Sequence, residues 1–317
     1  MINKDYLYTD VYYSVDQILL RENSTYIYTH DVEVRSYLAD RIEDIGISNV
    51  DFVGIDFCKE GDTFAVIGQE DNSLSLWEEP DVVSFFQKYT KDIVYLDVSG
   101  MSNRVSSSFI NYFMTHKDKE LYVIYVEPES YTLEVFKKLG PDHDLSESID
   151  GIDALPGLAS IFPEDADEDI KFIPILGFEG GRFTYLLDQL ATVNMDITPI
   201  VGVPGYRIEY PFESLWGNRR ALKDTGSWMN IKFAAANSIV DIFLQLDNIE
   251  KHSEGFKLRI APIGTKPHAI GAIVFAFLHQ DNVELIYDNP KREMDRTKGI
   301  GRILICNVTK LIRDNQR

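Results

Sequence analysis

The run most suggestive of chemistry is Gly264-Thr265-Lys266-Pro267-His268, between the apolar stretch LRIAPI and a segment rich in Ala, Ile and Phe. A glycine at such a place lets the backbone turn and approach a ligand closely. The start of the following helix adds free N–H groups and partial positive charge. Thr265 can cap that helix or bond an oxygen, and Lys266 supplies a point charge. Together they suit a phosphate or another anion. The spacing is not the GxxxxGK[ST] of NTPase phosphate loops, and an ordinary capped strand-to-helix turn carries the same residues.

Two further loops belong with it. Gly177, Gly180 and Gly181, with Glu179 and Arg182, follow a strand and precede a helix. Three glycines in five residues beside an arginine suggest a loop pressed against something, although the GxGxxG dinucleotide fingerprint is absent. Tyr206 and Arg207 close the run VGVPGYR and could stack on a base or hold a phosphate. All three loops fall at the ends of expected strands, where ligands of open α/β sheets bind, so they are expected to line one crevice. In the first half, Gly100, Ser102, Asn103 and Arg104 stand where the Gly-Thr-Lys turn stands in the second. His30 ends the first strand of that half, in the place of the glycine-rich loop.

Other signals point elsewhere or nowhere. Glu127-Pro128-Glu129 ends a strand and could hold a sugar hydroxyl, a metal or only solvent. Trp216-Gly217-Asn218-Arg219-Arg220 carries two adjacent cations that could meet phosphate or an acidic segment of the same chain. There is no HExxH, no CxxC and no GxSxG. No catalytic residue, metal ligand or cofactor is assigned on this basis.

The elements that must position these loops alternate. Apolar runs such as IVYLDV (93–98), LYVIYV (121–126) and LRIAPI (258–263) have the length and composition of buried parallel strands. Segments 34–45, 82–89, 105–115, 184–190, 214–222, 233–249 and 269–278 space their apolar residues as helices do. The tail, 301–308, is expected to add an edge strand to the second half. The expected fold is α/β, with two Rossmann-like domains of mostly parallel sheet, 1–140 and 171–317. Residues 141–170 hold ten Asp or Glu, no Lys or Arg, and prolines at 141, 156 and 163. They read as an acidic linker, either a solvated connector or a docking surface for a basic partner.

The two halves match in layout. Each has a buried strand, a glycine turn (Gly100, Gly264), a helix opening on small polar residues, and a second buried strand closed by proline (Pro128, Pro290). A tandem repeat of this kind can pack about a pseudo-two-fold axis and build a site between its halves.

Charge and composition narrow the partners. The 317 residues carry a net charge of -20, which disfavours duplex nucleic acid but not a small anion. With 44% hydrophobic residues there is material for ordinary cores, and no stretch has the length of a membrane span. The N-terminus lacks a signal-peptide core, so Cys58 and Cys306 are expected to be free thiols and the protein cytoplasmic.

Residues 260–271 resemble the nucleotide-binding turn of the CRISPR-associated Rossmann-fold sensors. Gly264, Thr265 and Lys266 match its Gly-Gly-Thr-Lys-like motif, with Ile263 in place of the first glycine. The resemblance implies a degenerate tandem sensor of cyclic oligonucleotide-type ligands in a prokaryotic defence system, acting with a partner effector or as a homo-oligomer. Two other functions stay open on the residues alone. One is a nucleotide- or nucleoside-processing hydrolase using Lys266 and Arg182 for charge and His268 or Glu179 as acid or base. The other is a non-catalytic adaptor.

Overall fold

The computed structural model describes residues 4–46, 49–69, 71–131, 146–149, 151–158, 169–190, 195–292 and 296–316. Along the chain the first elements are β1 (Thr9–Tyr12), β2 (Ser24–Tyr28), α1 (Leu38–Ile45), β3 (Val50–Cys58), β4 (Thr63–Val66), β5 (Leu74–Ser75), α2 (Glu79–Tyr89), β6 (Ile93–Asp97), α3 (Asn103–Thr115), β7 (Glu120–Val126) and β8 (Ser130–Tyr131). Then come β9 (Ser146–Ile149), β10 (Asp153–Ala154), β11 (Asp169–Leu176), α4 (Gly180–Leu190), β12 (Asp196–Ile197), β13 (Ile200–Gly202), α5 (Tyr210–Asp224) and β14 (Lys232–Ala234). The rest are α6 (Ile239–Lys251), β15 (Phe256–Pro262), α7 (Lys266–Leu278), β16 (Val283–Tyr287), β17 (Pro290–Arg292), β18 (Thr297–Lys298), β19 (Ile303–Asn307) and α8 (Val308–Asn315).

These elements form two compact units, one of Met1–Thr132 with Met294–Arg317 and one of Leu133–Glu293. Each is an α/β unit on a mixed, largely parallel sheet, as the alternation of apolar runs and helical segments predicts. In the first unit the strand order is β1-β19-β7-β6-β2-β3-β4-β5, and β7, β6, β2 and β3 are parallel. The chain leaves β2 toward β3 and later returns to β6 on the other side, so its direction of travel reverses between β2 and β6. In the second unit the order is β10-β16-β15-β11-β13-β14, parallel from β16 to β14, with β12 extending the pairing of β11. Here the reversal falls between β11 and β15. Such a switch point opens a crevice at the carboxyl ends of the two strands.

The repeated βαβ units sit at these reversals. β6–α3–β7 and β15–α7–β16 each begin on the strand beside the first parallel strand of its sheet. Both helices have 13 residues and a hydroxyl cap: Ser102 accepts from the Val105 amide and Thr265 from the His268 amide. A capping hydroxyl satisfies one of the N–H groups that a helix start leaves open.

Three sequence expectations change. First, the tail does not join the second sheet: β19 lies inside the first, antiparallel to both β7 and β1. Ile303, Leu304, Ile305 and Cys306 are all buried, an apolar run covered on both faces as an interior strand requires. The second domain therefore does not run to the end of the chain. Second, the acidic stretch 141–170 is not a plain connector. Residues 141–145, 150 and 159–168 lie outside the described residues, but β10 pairs with β16, β9 with β17, and Leu155 and Leu158 are buried. Third, the long helix expected over 233–249 starts only at Ile239. Phe233 and Ala234 belong to edge strand β14, and Ser238 caps α6 by accepting from the Asp241 amide.

The interior position of β19 has a measurable consequence. Ile303 is fully buried in the core with Tyr26, Ile124 and Val126. Ile303→Ala should cost about 2–5 kcal/mol by urea unfolding, whereas a peripheral edge strand would tolerate it with a loss of less than about 1 kcal/mol.

Candidate functional site

In the second unit the carboxyl ends of β15, β11 and β13 lie side by side, so the three loops singled out from sequence are neighbours. Gly177 and Gly264 meet backbone to backbone across the switch point. A Cβ on Gly177 would stand 2.8 Å from the Ile263 carbonyl oxygen, and one on Gly264 would stand 2.8 Å from that of Leu176. Pro204, in the third loop, accepts from the Ala236 amide at 3.0 Å. The Ala236 carbonyl in turn accepts from the Thr265 hydroxyl at 2.6 Å. Hydrogen bonds thus link the three loops, and the N-termini of α4 and α7 flank them. Right-handed crossovers put these two helices on opposite faces of the sheet. Among the described residues, the amides of Gly264 and Thr265 meet no acceptor.

Several residues expected to face a ligand are engaged in bracing. Arg182 is buried. Its Nε donates to Asp288 Oδ2 at 2.7 Å, its Nη1 to the Ile263 carbonyl at 3.0 Å, and Glu179 Oε2 lies 3.5 Å away. One guanidinium therefore ties the first turn of α4 to the ends of β15 and β16, and its charge is balanced by two carboxylates. Gly180 is demanded by packing, since a Cβ there would stand 2.0 Å from the Gly217 carbonyl oxygen on α5. Gly181 sits beside it in the same turn of α4. His268 is fully buried under the Gly264 turn, where Nε2 donates to the Ala235 carbonyl at 2.9 Å and Nδ1 has no partner. Burial pushes its pKa down to about 4, against the pull of the Ala235 carbonyl. Lys266 is half-buried at the first position of α7. Tyr206 is half-buried, and Arg207 is exposed with Glu209 3.6 Å away.

The first unit repeats the plan with other residues. Gly100 presses on the end of β2, where a Cβ would stand 2.2 Å from the Thr29 carbonyl oxygen. Arg35, in the short turn after β2, donates through Nη1 to the Val126 carbonyl at 3.0 Å and pairs with Glu33. Arg296 reaches the same Glu33 at 2.5 Å. Burial opposes ionisation of Glu33, but Arg35 and Arg296 outweigh it and hold its pKa at about 2. Asp97 is buried at the end of β6, accepting from Tyr26 Oη at 2.7 Å and the Ser99 amide at 2.9 Å. Burial raises its pKa. Ser102 caps α3, Asn103 is buried beside it, and Arg104 donates to Asp62 at 2.6 Å while lying over Trp77. His30 is partly exposed, stacked on Tyr37 with centroids 4.4 Å apart and 3.2 Å from Asp40.

Sequence reasoning missed Asp288, Glu33 and Arg35, and it named Asn218 only as part of the run at Trp216. Asn218 donates to the Gly177 carbonyl at 2.8 Å. The short motif in which an acid precedes an arginine by two or three residues, Glu33 before Arg35 and Glu179 before Arg182, is the signal that could have exposed the brace. Glu127, considered for a hydroxyl or metal, instead accepts from Arg302 Nε at 2.7 Å. Of the cation pair near Trp216, Arg219 lies over that ring at 4.2 Å and Arg220 faces Asp224 at 3.7 Å.

No family model, curated protein or solved structure matches the chain. No helix among the described residues is long and apolar enough to cross a membrane.

His268 supplies a pH test of this geometry. Its folded pKa lies below the ordinary value of 6.5, so burial in the neutral form contributes stability fully present above pH 6.5 and lost as pH falls toward 4. The wild type should lose roughly 3 kcal/mol more than His268→Gln across that interval, read from urea unfolding at stepped pH. Equal pH slopes in the two proteins would contradict a buried neutral imidazole.

Proposed function

We propose that the second unit binds an anionic, nucleotide-type ligand at the switch point between β11 and β15, and that the chain serves as a ligand-responsive regulatory subunit. The observation that carries this reading is the close backbone approach of Gly177 and Gly264 between two helix N-termini. Backbone approach at that point needs residues without side chains, and helix N-termini favour negative charge. Lys266 adds a cation at the first position of α7. Arg182 does not, because Asp288 and Glu179 already balance it.

A sensor is favoured over a hydrolase by the state of the candidate acid and base. His268 is sealed from solvent, and Glu179 is buried against Arg182. A general acid or base must reach the proton that it transfers. The resemblance of residues 260–271 to the turn of CRISPR-associated sensors supports a role in prokaryotic defence alongside an effector. A protein partner also suits Ile208, Phe212 and Trp216, which are 88%, 70% and 59% exposed at four-residue spacing on and before α5. Exposed apolar rows of this kind mark interaction surfaces.

Thermal shift and calorimetry against linear and cyclic nucleotides test the reading. At least one nucleotide should raise the melting temperature of the wild type. Lys266→Ala should bind that nucleotide roughly tenfold or more weakly, since one hydrogen bond to a charged group contributes about 1.5–3 kcal/mol. A panel in which no nucleotide binds overturns the proposal.

A further inference from the structure

We propose that Asp247, Glu250 and His279 form a divalent transition-metal site of zinc type at the carboxyl ends of α6 and α7. The site is independent of the crevice, since α6 and α7 begin at the carboxyl ends of the strands and these residues lie at the opposite ends of the helices. Asp247 and Glu250, three residues apart on α6, share one helix face. His279 is the residue that ends α7. One ligand atom from each of the three lies within 4.8 Å of the others, and His279 Nδ1 is 2.9 Å from Glu250 Oε1. Ligand atoms on one tetrahedral zinc stand about 3.3 Å apart, given Zn–N and Zn–O lengths of about 2.0–2.1 Å. Three such atoms drawn to that spacing would hold one ion and leave a fourth position for water.

Three features prepare the place for a cation rather than for an ordinary surface ion pair. The three side chains are mostly covered, with 15–19% of their surfaces exposed. The imidazole is held in orientation by stacking on Phe275, with centroids 4.3 Å apart. Two helices also end here, and each turns the negative end of its dipole toward the cluster. One imidazole with two carboxylates is a mixed nitrogen and oxygen set, which suits zinc or cobalt better than magnesium or calcium. One competitor is Lys251, which pairs with Asp247 from the next turn of α6. Its side chain is half-exposed, so it can swing into solvent when a divalent ion takes the carboxylate. A metal bound there would clasp the ends of two helices that already pack closely at Gly271, where a Cβ would stand 2.6 Å from the Ile239 carbonyl oxygen.

The test uses the full chain without a histidine tag, stripped with chelator and titrated with Co²⁺ and Zn²⁺. One equivalent of Co²⁺ should bind with visible d–d absorption and without thiolate charge transfer. Binding should weaken roughly tenfold or more in His279→Ala and in Glu250→Gln. It should be unchanged in His252→Ala, whose imidazole is the exposed neighbour at the end of α6, and tighter in Lys251→Met, which removes the competing cation. Asp247→Asn keeps the side chain's size and serves if the His279 variant does not fold; it too should weaken binding. The proposal is overturned by the absence of stoichiometric binding, by binding that survives His279→Ala or Asp247→Asn, or by a thiolate signal assigning the ion to Cys58.

Discussion

In each unit one buried guanidinium ties the segment after the first parallel strand to the carboxyl end of a strand across the switch point. Arg182 holds the Ile263 carbonyl and Asp288; Arg35 holds the Val126 carbonyl and Glu33. Taking such a charge out of water is costly, and it is tolerated only where carboxylates and carbonyls surround it fully. Each arginine comes from the segment after the first parallel strand of its sheet, and each spans the switch point. The crevice edges therefore have their spacing set by a rigid planar fork. Removing Arg182 alone would leave the buried Asp288 without its counter-charge, whereas Glu33 would keep Arg296 if Arg35 were removed.

Around that brace the backbone closes in. Gly100 on Thr29 and Gly177 on Gly264 occupy places where any side chain would meet a carbonyl oxygen. Glycine-rich loops in an α/β protein suggest a ligand, but here much of the demand for glycine comes from the fold itself: Gly180 and Gly217 let α4 and α5 touch backbone to backbone. What the packing leaves open at the turn is smaller: among the described residues, the amides of Gly264 and Thr265 meet no acceptor.

The two units share an internal plan: thirteen-residue helices with hydroxyl caps, and an arginine brace paired with a nearby acid. The plan is conserved in position rather than in residue type. The first unit has Gly100-Met101-Ser102 where the second has Gly264-Thr265-Lys266. A lysine is therefore absent from the equivalent turn, while the cap and the close backbone approach are kept.

The sequence alone determined the alternation of buried strands and helices, the α/β class, the Thr265 cap and the strand-end placement of the loops. These follow from local periodicity and capping, which act within a few residues. Tertiary structure decided what no local pattern encodes. Residues 303–307 insert between β7 and β1 because an apolar strand pairs wherever two faces can cover it, whatever its distance along the chain. Arg182 looked free because its partner Asp288 is 106 residues away. Asp247, Glu250 and His279 showed no spacing motif because α6 and α7 bring them together only through packing. Charge compensation and ligand geometry act through space, so the same arginine reads as a binding group in one dimension and as a brace in three.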